Sequence, residues 1–353
     1  MEKSAKNIKE LAEYVGLSIA TVSRVMNGKA RLYRISDHTS RKVLDAARLL
    51  NYSPNKIARG LKLTRTETLG LIIPDIANPF FASIAKVIEL ESRKLGYSLI
   101  LCDSMDDTAT EKELIQLMWG RKVDGMIIAP VGYEHGHIDA MTKNGVPIIV
   151  VDRYFPGHDL PYVTTDNHDG AYLAVDYMLD LGHARIACIQ GIQGISVNTS
   201  RVQGYRDAML DHGIVPDDQM VLGHDFGEEN GYTQTCMLMQ RADPPTAILA
   251  LSNLISLGVI RALNELKLHI PRDVSLVSFD EQSYSAYLTT PLTTVEQPRD
   301  EIARLALQHL LKQIENQTNK PETSVMLKPR LIIRESVKKL TVKNEKRKMK
   351  NEE

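Results

Sequence analysis

The chain has 353 residues, enough for two or three domains of about 150 residues each. Its 43% hydrophobic and 25% charged residues are typical of a folded globular protein and exclude wholesale disorder. It contains neither an apolar run of about 18 residues nor the apolar segment of a secretion signal, so we expect a cytoplasmic protein with no membrane contact.

The net charge of −1 hides an uneven distribution. Residues 1–65 carry 14 Lys and Arg against 5 Asp and Glu, whereas residues 66–336 carry 22 against 36. A basic segment attached to an acidic body indicates that this segment alone binds a polyanion such as DNA. A solvated basic face without any partner would give the same charge count, so motifs are needed to separate the two interpretations.

Three short helices are predicted in the first 50 residues from their periodicity, caps and stops. The expected caps and stops are Asn7 with Glu10, Gly16, Ser18, Asn27-Gly28, and Ser36 or Asp37. The residues expected to face inward are Ile8, Leu11, Ala12, Val15, Val22, Val25, Val43, Leu44, Ala47 and Leu50.

From Leu69 onward, short apolar runs alternate with amphipathic stretches. The expected strands are Leu69–Ile73, Leu99–Cys102, Met126–Ala129, Ile148–Val151, Ile186–Ile189, Ala247–Leu251, Val274–Phe279 and Arg330–Arg334. The expected helices include Ala82–Leu95, Glu111–Arg121, Tyr172–Leu181 and Ser200–His212. This alternation predicts an α/β fold with helices on both faces of parallel sheets, and the number of strands favours two subdomains with a cleft between them.

The residues around the second helix have the spacing of a helix-turn-helix. Ala12 lets two helices approach, Gly16 supplies a positive φ in the turn, and Val22 anchors the second helix. The N-terminal half of that helix would then face the major groove, with Arg24 on guanine and Ile19 near thymine methyls. The candidate DNA contacts are Ser18, Ile19, Ala20, Thr21, Ser23, Arg24 and Asn27. A three-helix bundle that binds a protein is the alternative.

The stretch IKELAEYVGLSIATVSRVMNG resembles the N-terminus of the lactose-repressor (LacI/GalR) family of bacterial transcriptional regulators. The resemblance continues through VLDAARLLNYSPNKIARGL, Asn78–Phe81, Arg201–Tyr205, Phe279-Asp280 and Thr293–Pro298, and covers residues 6–336. It implies a helix-turn-helix domain, a hinge, and a two-subdomain core like that of periplasmic binding proteins.

The domain boundaries expected on this basis follow the composition of the chain. They are a DNA-binding domain at 1–52, a hinge helix and linker at 53–68, a ligand-binding core at 69–336 and a charged, disordered tail at 337–353. Within the core, we expect subdomain 1 at about 69–162 and 297–323, and subdomain 2 at about 163–296 and 324–336.

Residues 53–62 would form a helix too short to be stable alone. In the resembling family this helix pairs with that of the dimer mate in the minor groove, where a leucine intercalates; Leu61 occupies that position here. Asn55, Lys56 and Arg59 are candidates to hold phosphates or groove edges. An apolar wedge costs unstacking and gains a kinked site. The alternative is a plain linker with Leu61 packed on the core.

Two features of the N-terminal region differ from the resembling family. The loop Lys29–Arg34 is longer than usual, and Ser40 replaces the usual Arg. Arg31 and Arg34 of this loop are candidates to replace the missing phosphate contact.

Polar residues follow the ends of the expected strands, where ligands bind in open α/β sheets. The candidate ligand contacts, some of them implied by the resemblance, are Asp75, Phe80, Asp152, Arg201, Phe226, Ser252 and Asp280. Carboxylates and arginines give directional bonds to sugar hydroxyls, and an aromatic face covers the C–H surface of a sugar ring. Asp75 as a cap, Asp152 paired with Arg153, and Phe226 as core are the alternatives. Ser252-Asn253 stands where the family usually has an Asn-Asp pair, and the missing carboxylate alters what the cleft can accept, so no particular sugar is carried over.

No enzyme motif is present: we find no P-loop, G-x-S-x-G, H-E-x-x-H or G-x-G-x-x-G. The three cysteines form no C-x-x-C. His135-x-His137-x-Asp139 has ligand types for a metal but fits a solvated loop better. We therefore expect no catalytic residue, no metal and no cofactor. A sugar-binding transport receptor would need an export signal, and an enzyme on this scaffold would need a catalytic group in the cleft.

Taken together, these patterns predict a cytoplasmic, homodimeric transcriptional repressor. It would bind a double-stranded DNA operator through residues 1–68 and a small-molecule effector, a carbohydrate, in the cleft of its core.

Overall fold

The computed structural model describes residues 7–52, 65–316 and 324–340. The chain divides into an N-terminal unit, Met1–Glu67, and a core unit, Thr68–Glu353. None of the helices in the described ranges has the length and hydrophobicity that a membrane span requires.

The N-terminal unit packs three helices around a small apolar core. These are α1 Ile8–Val15, α2 Ile19–Met26 and α3 Asp37–Leu49. The side chains of Asn7, Ser18 and Ser36 each accept a backbone N–H at the start of a helix, which confirms the predicted caps. Leu44 was expected to face inward, but it is 40% exposed. The buried stripe of α3 runs through Val43 and the residues three and four positions on, and Leu44 lies about 100° around the helix from it.

The core unit alternates strands and helices. The strands are β1 Thr68–Ile73, β2 Ser98–Asp103, β3 Gly125–Ile128, β4 Ile148–Val151, β5 Tyr162–Thr165, β6 Ile186–Ile189, β7 Val221–Leu222, β8 Ala247–Ala250, β9 Ser275–Phe279, β10 Thr293–Glu296, β11 Val325–Leu327 and β12 Arg330–Ile332. The α-helices are α4 Pro79–Lys94, α5 Thr108–Gly120, α6 Gly136–Lys143, α7 Asn167–Asp180, α8 Ser196–Asp211, α9 Glu228–Met239, α10 Asn253–Glu265 and α11 Arg299–Asn316.

Two six-stranded sheets define two lobes. Lobe 1 has the strand order β11-β5-β4-β3-β1-β2, with all neighbours parallel. Lobe 2 has the order β12-β10-β9-β8-β6-β7, parallel except for the β10–β12 pair. The predicted α/β fold class is confirmed.

Each sheet is buried on both faces because its strands are apolar on both sides. In lobe 1, Leu71 and Ile73 pack with α4 and α11, while Ile72 packs with α5 and α6 on the other face. In lobe 2, α7 and α8 cover one face and α9 and α10 cover the other. This layering leaves the strand ends of both sheets free to form a site.

The chain crosses between the lobes three times, and two crossings differ from the expected boundaries. β5 and β11 pair in lobe 1, through Val163 and Val325, although residues from 163 and from 324 onward were assigned to subdomain 2. Both strands are short and carry no periodic apolar pattern. Their pairing joins segments 162 residues apart, which a local pattern does not reveal.

Residues 337–340 were expected to belong to a disordered tail, but hydrogen bonds hold this segment on lobe 2. Leu340 N–H donates to Leu181 O at 2.8 Å, and Lys338 N–H donates to Ser275 Oγ at 3.1 Å. Ser336 is fully buried, and its Oγ accepts the Thr293 N–H at 2.8 Å. Residues 341–353 lie outside the described part of the chain.

Candidate nucleic-acid interface and ligand cleft

Helix α2 presents the predicted DNA-contacting side chains on its outer face. Val22 and Val25 are buried, which turns Ile19, Ala20 and Arg24 outward. For Ala20 and Arg24 this arrangement follows from the 3.6-residue helical period, because each is one or two positions from a buried anchor, whereas Ile19 lies at the first position of the helix. The exposed face is the one that a recognition helix lays into the major groove.

The polar residues of α2 are engaged at its two ends. Ser18 Oγ accepts the Thr21 N–H at 3.1 Å and lies 2.9 Å from Thr21 Oγ1. At the other end, Asn27 Nδ2 donates to Ser23 O at 2.6 Å and to Ser23 Oγ at 3.2 Å. These four side chains therefore stabilise the two ends of the helix. Only those of their donors and acceptors that are not used in these bonds would be available to DNA.

The long loop after α2 is exposed. Four of its residues face solvent: Arg31, Leu32, Tyr33 and Arg34. Its two arginines are therefore accessible to a DNA phosphate. Ser40 Oγ donates to Ser36 O at 3.0 Å and so is used within α3.

The four predicted hinge contacts lie outside the described residues. They are Asn55, Lys56, Arg59 and Leu61. The wedge role of Leu61 therefore stays a prediction from the sequence.

In the core unit the two lobes meet face to face across the cleft. Asn253 Nδ2 of lobe 2 donates to Asn78 Oδ1 of lobe 1 at 3.1 Å. Tyr154 N–H donates to Ser196 Oγ at 3.0 Å, and Tyr133 Oη donates to the Gln193 carbonyl at 2.5 Å. Hydrogen bonds at these three places hold the lobes in a closed arrangement.

Three charged side chains are buried together between the lobes. Asp152 follows β4, Asp280 follows β9, and Arg201 lies on α8; each is at most 6% exposed. Arg201 donates from Nε to Asn167 Oδ1 at 2.7 Å and from Nη1 to Leu251 O at 2.6 Å. Its guanidinium carbon lies 4.1 Å from the centroid of the Phe279 ring. These contacts fix the plane of the guanidinium beside the two carboxylates.

Asp280 is also held in place on both oxygens. Its Oδ1 accepts Gln297 Nε2 at 2.5 Å, and its Oδ2 accepts the Asn253 N–H at 3.3 Å. Asp152 and Asp280 both adopt a positive φ, 61° and 70°. That conformation is uncommon outside glycine and costs free energy, which is typical of residues held for a function.

Burial shifts the pKa values of Asp152 and Arg201. It raises the pKa of Asp152 to about 6, with the neighbouring Asp280 adding to the rise and Arg201 and Arg153 opposing it. Burial lowers the pKa of Arg201, while Asp280 and Asp152 oppose that shift. The three groups therefore influence one another electrostatically, although no pair of them lies within ion-pair distance in the described structure.

Arg153 lies beside this group and reaches across the cleft. Its Nη1 donates to Asp106 Oδ1 at 2.5 Å, while its Nε lies 4.0 Å from Asp152 Oδ2. Pairing with Asp106 thus takes precedence over the Asp152–Arg153 pair that the sequence left open. The guanidinium carbon also lies 5.6 Å from the ring centroid of Phe226 in lobe 2. Phe226 packs on Gly191, where an added Cβ would lie 2.2 Å from the ring.

The remaining predicted contacts, Asp75, Phe80 and Ser252, are engaged in the structure around them. Asp75 Oδ1 accepts the Ala77 N–H at 2.7 Å and so closes a turn. Phe80 is 3% exposed and belongs to the core of lobe 1. Ser252 caps α10 by accepting the Ile255 N–H at 3.1 Å, and its hydroxyl donates to Phe226 O at 2.9 Å. The structure thus brings Asp152, Arg201 and Asp280 together. Asp75, Phe80 and Ser252 instead stabilise the local structure around them.

Of the neutral amides of the site, sequence reasoning named only Asn253, beside Ser252, and it missed the roles of Asn78, Asn167 and Gln297. Asn253 Oδ1 and Gln297 Oε1 are buried acceptors without a hydrogen bond in the described structure. Asn167 orients Arg201, and Asn78 joins the lobes. Each of these four residues lies within a few positions of a strand end, and that position is the signal that would have found them. Free acceptors in a buried polar site are suited to ligand hydroxyl donors.

The histidine motif forms a hydrogen-bonded cluster instead of a solvated loop. His135 Nδ1 lies 2.8 Å from Asp139 Oδ2, and His158 Nε2 lies 3.2 Å from Asp139 Oδ1. These side chains have the types and spacing of metal ligands. His158 Nδ1, however, accepts the Leu160 N–H at 3.1 Å, so the proton of the neutral ring is on Nε2 and faces Asp139. A metal would need that position deprotonated.

His137 lies apart from that cluster. Its Nε2 is 2.6 Å from Oε1 of Glu111, a carboxylate that is fully buried. Glu111 Oε2 also accepts the Val131 N–H at 2.9 Å. The pair thus joins α5 to the segment after β3.

Comparison with known proteins identifies both parts of the chain. Residues 7–55 match the family model for bacterial regulatory proteins of the lacI family, and residues 175–337 match that for a periplasmic binding protein-like domain. The HTH-type transcriptional repressor PurR of Glaesserella parasuis is 31% identical over 338 residues, which cover 94% of this chain and 98% of that protein. The ribose operon repressor of Haemophilus influenzae is 31% identical over 330 residues, with 94% and 98% covered.

A solved structure extends the likeness to three dimensions. The lac repressor dimer bound to operator and the anti-inducer ONPF matches with a TM-score of 0.84 at 25% identity, covering 95% of this chain and 100% of that chain. The resemblance inferred from the sequence motifs is therefore confirmed. The chain belongs to the lacI family of bacterial regulatory proteins, and it is a DNA-binding transcriptional regulator with an effector-binding core.

Proposed function

We propose that the chain represses transcription as a homodimer and that a carbohydrate in its cleft sets its affinity for operator DNA. The observation that carries the proposal is the buried group of Asp152, Arg201 and Asp280, together with the free acceptors of Asn253 and Gln297. Such a set of directional donors and acceptors matches a ligand that both donates and accepts hydrogen bonds at several positions.

The charge balance of the cleft favours a neutral ligand. The guanidinium groups of Arg153 and Arg201 lie among three carboxylates, those of Asp106, Asp152 and Asp280. An anionic ligand would add to an existing excess of negative charge in a site that is buried away from water. A sugar hydroxyl instead donates to a carboxylate and accepts from a guanidinium without any net charge. The ring of Phe226, which is partly exposed, would cover the C–H side of a sugar ring.

On DNA, α2 of each subunit would read one half of a nearly palindromic operator. Arg24 would bind guanine through two hydrogen bonds, and Ile19 and Ala20 would meet thymine methyl groups. The hinge residues Asn55, Lys56, Arg59 and Leu61 would bind and widen the minor groove at the centre of the site. Because its target is chromosomal DNA, the protein would act in the cytoplasm.

Effector and operator binding would be linked through closure of the lobes. A ligand that binds the closed arrangement more tightly than an open one shifts the population toward closure. If the two arrangements differ in operator affinity, the coupling is reciprocal, so DNA changes effector affinity by the same factor. The ligand would be released unchanged, as from a regulator whose cleft carboxylates serve only to bind it.

The test is a ligand screen on the full chain, read first by thermal stability and then by DNA binding. Pentoses, hexoses, disaccharides, sugar phosphates, uronic acids and purines are compared at equal concentration. A neutral sugar at 100 times its dissociation constant should add about 2.7 kcal/mol to the free energy of unfolding. That sugar should then change affinity for a duplex selected by the chain from a randomised library. Stabilisation by anionic or purine compounds alone would refute the carbohydrate assignment.

A further inference from the structure

The side chain of Arg24 lies against an aromatic ring from the long loop that follows α2. Its guanidinium carbon is 4.0 Å from the centroid of the Tyr33 ring. Tyr33 belongs to the segment Lys29–Arg34, which distinguishes this chain from the family pattern. The unusual loop is therefore in direct contact with Arg24, the arginine best suited to reading a base.

Backbone hydrogen bonds fix the loop that carries Tyr33. Lys29 N–H donates to the carbonyl of Arg24 itself at 2.9 Å, and Tyr33 N–H donates to Lys29 O at 3.2 Å. Ile35 N–H then closes the loop on Ala30 O at 2.9 Å, and both of these residues pack against the core of the N-terminal unit. The position of the ring is thus determined relative to the backbone of α2.

The contact leaves the hydrogen-bonding edge of Arg24 free. No carboxylate lies within 4 Å of this guanidinium in the described ranges of the chain, so the ring is its main contact. A cation–π contact uses the flat face of the guanidinium, whereas its five N–H groups point outward in the plane. A bidentate bond to guanine needs those in-plane donors.

Tyr33 is poorly placed to serve as a core residue. It is 47% exposed, and it is not part of the apolar cluster that holds the three helices together. Its exposed neighbour Leu32, at 74%, makes no comparable contact with Arg24 and provides a matched control in the same loop.

We propose that Tyr33 is a positioning residue for base recognition, which sets the plane of the Arg24 guanidinium before DNA is bound. The inference rests on the proposed role of Arg24 in reading a base. An arginine side chain loses rotamer freedom when it is fixed on DNA, and the Tyr33 ring removes part of that freedom in the free protein.

The test measures operator affinity and base discrimination of the full chain. The duplex is the one that the wild-type chain selects from a randomised library, with each base pair of a half-site then substituted in turn. Tyr33→Leu should weaken binding about two- to fivefold per half-site, the range expected for an exposed cation–π contact, and about four- to twenty-fivefold on the complete site. The loss in discrimination should fall at the base pair whose preference Arg24→Ala abolishes. Tyr33→Phe should retain both affinity and discrimination, and Leu32→Ala should change neither.

A double-mutant cycle distinguishes the possible outcomes. In the Arg24→Ala background, Tyr33→Leu should cost nothing further. Equal losses in both backgrounds, or a loss spread over all base pairs, would overturn the proposal and make Tyr33 an independent DNA contact. If Arg24→Ala abolishes a base preference while Tyr33→Leu has no effect, the positioning role alone fails. If Arg24→Ala itself leaves every base preference intact, the proposed reading role of Arg24 fails and the inference falls with it.

Discussion

Asn253 at the start of α10 donates its side-chain amide to Asn78 Oδ1 at the start of α4, 3.1 Å away, and so links the two lobes. Asn78 Oδ1 also accepts the Phe80 N–H at 3.0 Å, and the Asn253 N–H donates to Asp280. These three hydrogen bonds therefore connect two helix starts and a buried carboxylate of the cleft.

Removing this link should favour the open arrangement of the lobes. We expect Asn253→Ala to weaken effector binding at least about two- to tenfold, because it removes the interlobe hydrogen bond, worth about 0.5–1.5 kcal/mol, together with the free acceptor proposed to bind the ligand. Isothermal titration with the sugar found in the screen measures the effect. Asn264→Ala, at an exposed position of the same helix, is the control. Equal affinity of Asn253→Ala and wild type would show that this bond does not contribute to closure.

Asp280 should be required for effector binding and dispensable for DNA binding without effector. Asp280→Asn keeps the shape and tolerates the positive φ, but it removes the charge that accepts a ligand hydroxyl. The loss should be about 1.5–3 kcal/mol, which corresponds to roughly ten- to a hundredfold in affinity.

Arg201→Ala should weaken the same equilibrium at least as much, because Asn167 and the Leu251 carbonyl also lose their donor. Fluorescence anisotropy with labelled operator checks that DNA affinity without effector is retained. Asp300→Asn, which is exposed on α11, serves as the surface control. Undiminished effector affinity in both cleft variants would place the effector elsewhere.

Asp152 should make stability fall with rising pH. Its pKa is raised to about 6 in the folded chain from an ordinary value of 3.8, so the folded state binds this proton more tightly than the unfolded state. Protonation of Asp152 therefore stabilises the folded state in full below about pH 4. This stabilisation, on the order of 3 kcal/mol, is lost as the pH rises from about 4 through about 6.

Urea unfolding of wild type and Asp152→Asn between pH 5 and 7.5 measures this contribution. The stability difference should move in favour of the variant as pH rises. A difference that is constant over this range would mean that Asp152 is ionised throughout.

Gly258 should be intolerant of any side chain. A Cβ there would lie 1.9 Å from the carbonyl of Glu228, at the closest approach of α9 and α10. Gly258→Ala must move the helices apart, and overpacking of this kind costs about 1–3 kcal/mol or more. Gly120→Ala, at a helical position with open space, should instead stabilise by up to about 1 kcal/mol. Thermal unfolding of the two variants should shift in opposite directions, and similar shifts would contradict the packing argument.

Leu61 is predicted to act only on DNA. If it is a minor-groove wedge, Leu61→Ala should leave the thermal stability of the free chain nearly unchanged and reduce both operator affinity and DNA bending. If it packs on the core instead, the free chain should lose about 2–5 kcal/mol, as for a buried leucine. Circular-permutation gel shifts and thermal unfolding together separate the two. An unchanged bend with a destabilised free chain would contradict the wedge.

Local features of the fold were predictable because their causes are local. The caps at Asn7, Ser18 and Ser36 each need only three or four neighbouring residues, and all three are confirmed. Leu44 was misjudged because helical periodicity identifies a face more surely than its edges.

Features that depend on distant residues were missed. The pairing of Val163 with Val325 and the bond between Asn78 and Asn253 join segments more than 150 residues apart. Neutral amides also carry no charge pattern that marks them in a sequence. The order of residues 337–340 depends on a backbone bond to Leu181, whereas their charge alone suggested disorder.

The three crossings between the lobes restrict how those lobes can move. The chain passes from one sheet to the other between Thr165 and Asn167, between Glu296 and Arg299, and between Leu327 and Arg330. β5 and β11 are neighbours at one edge of lobe 1, and β10 and β12 are neighbours at one edge of lobe 2. Connections of one or two residues that lie side by side resist stretching and sliding but allow rotation. We therefore expect opening to be mainly a rotation about these connections, which a small molecule that bridges the lobes would oppose.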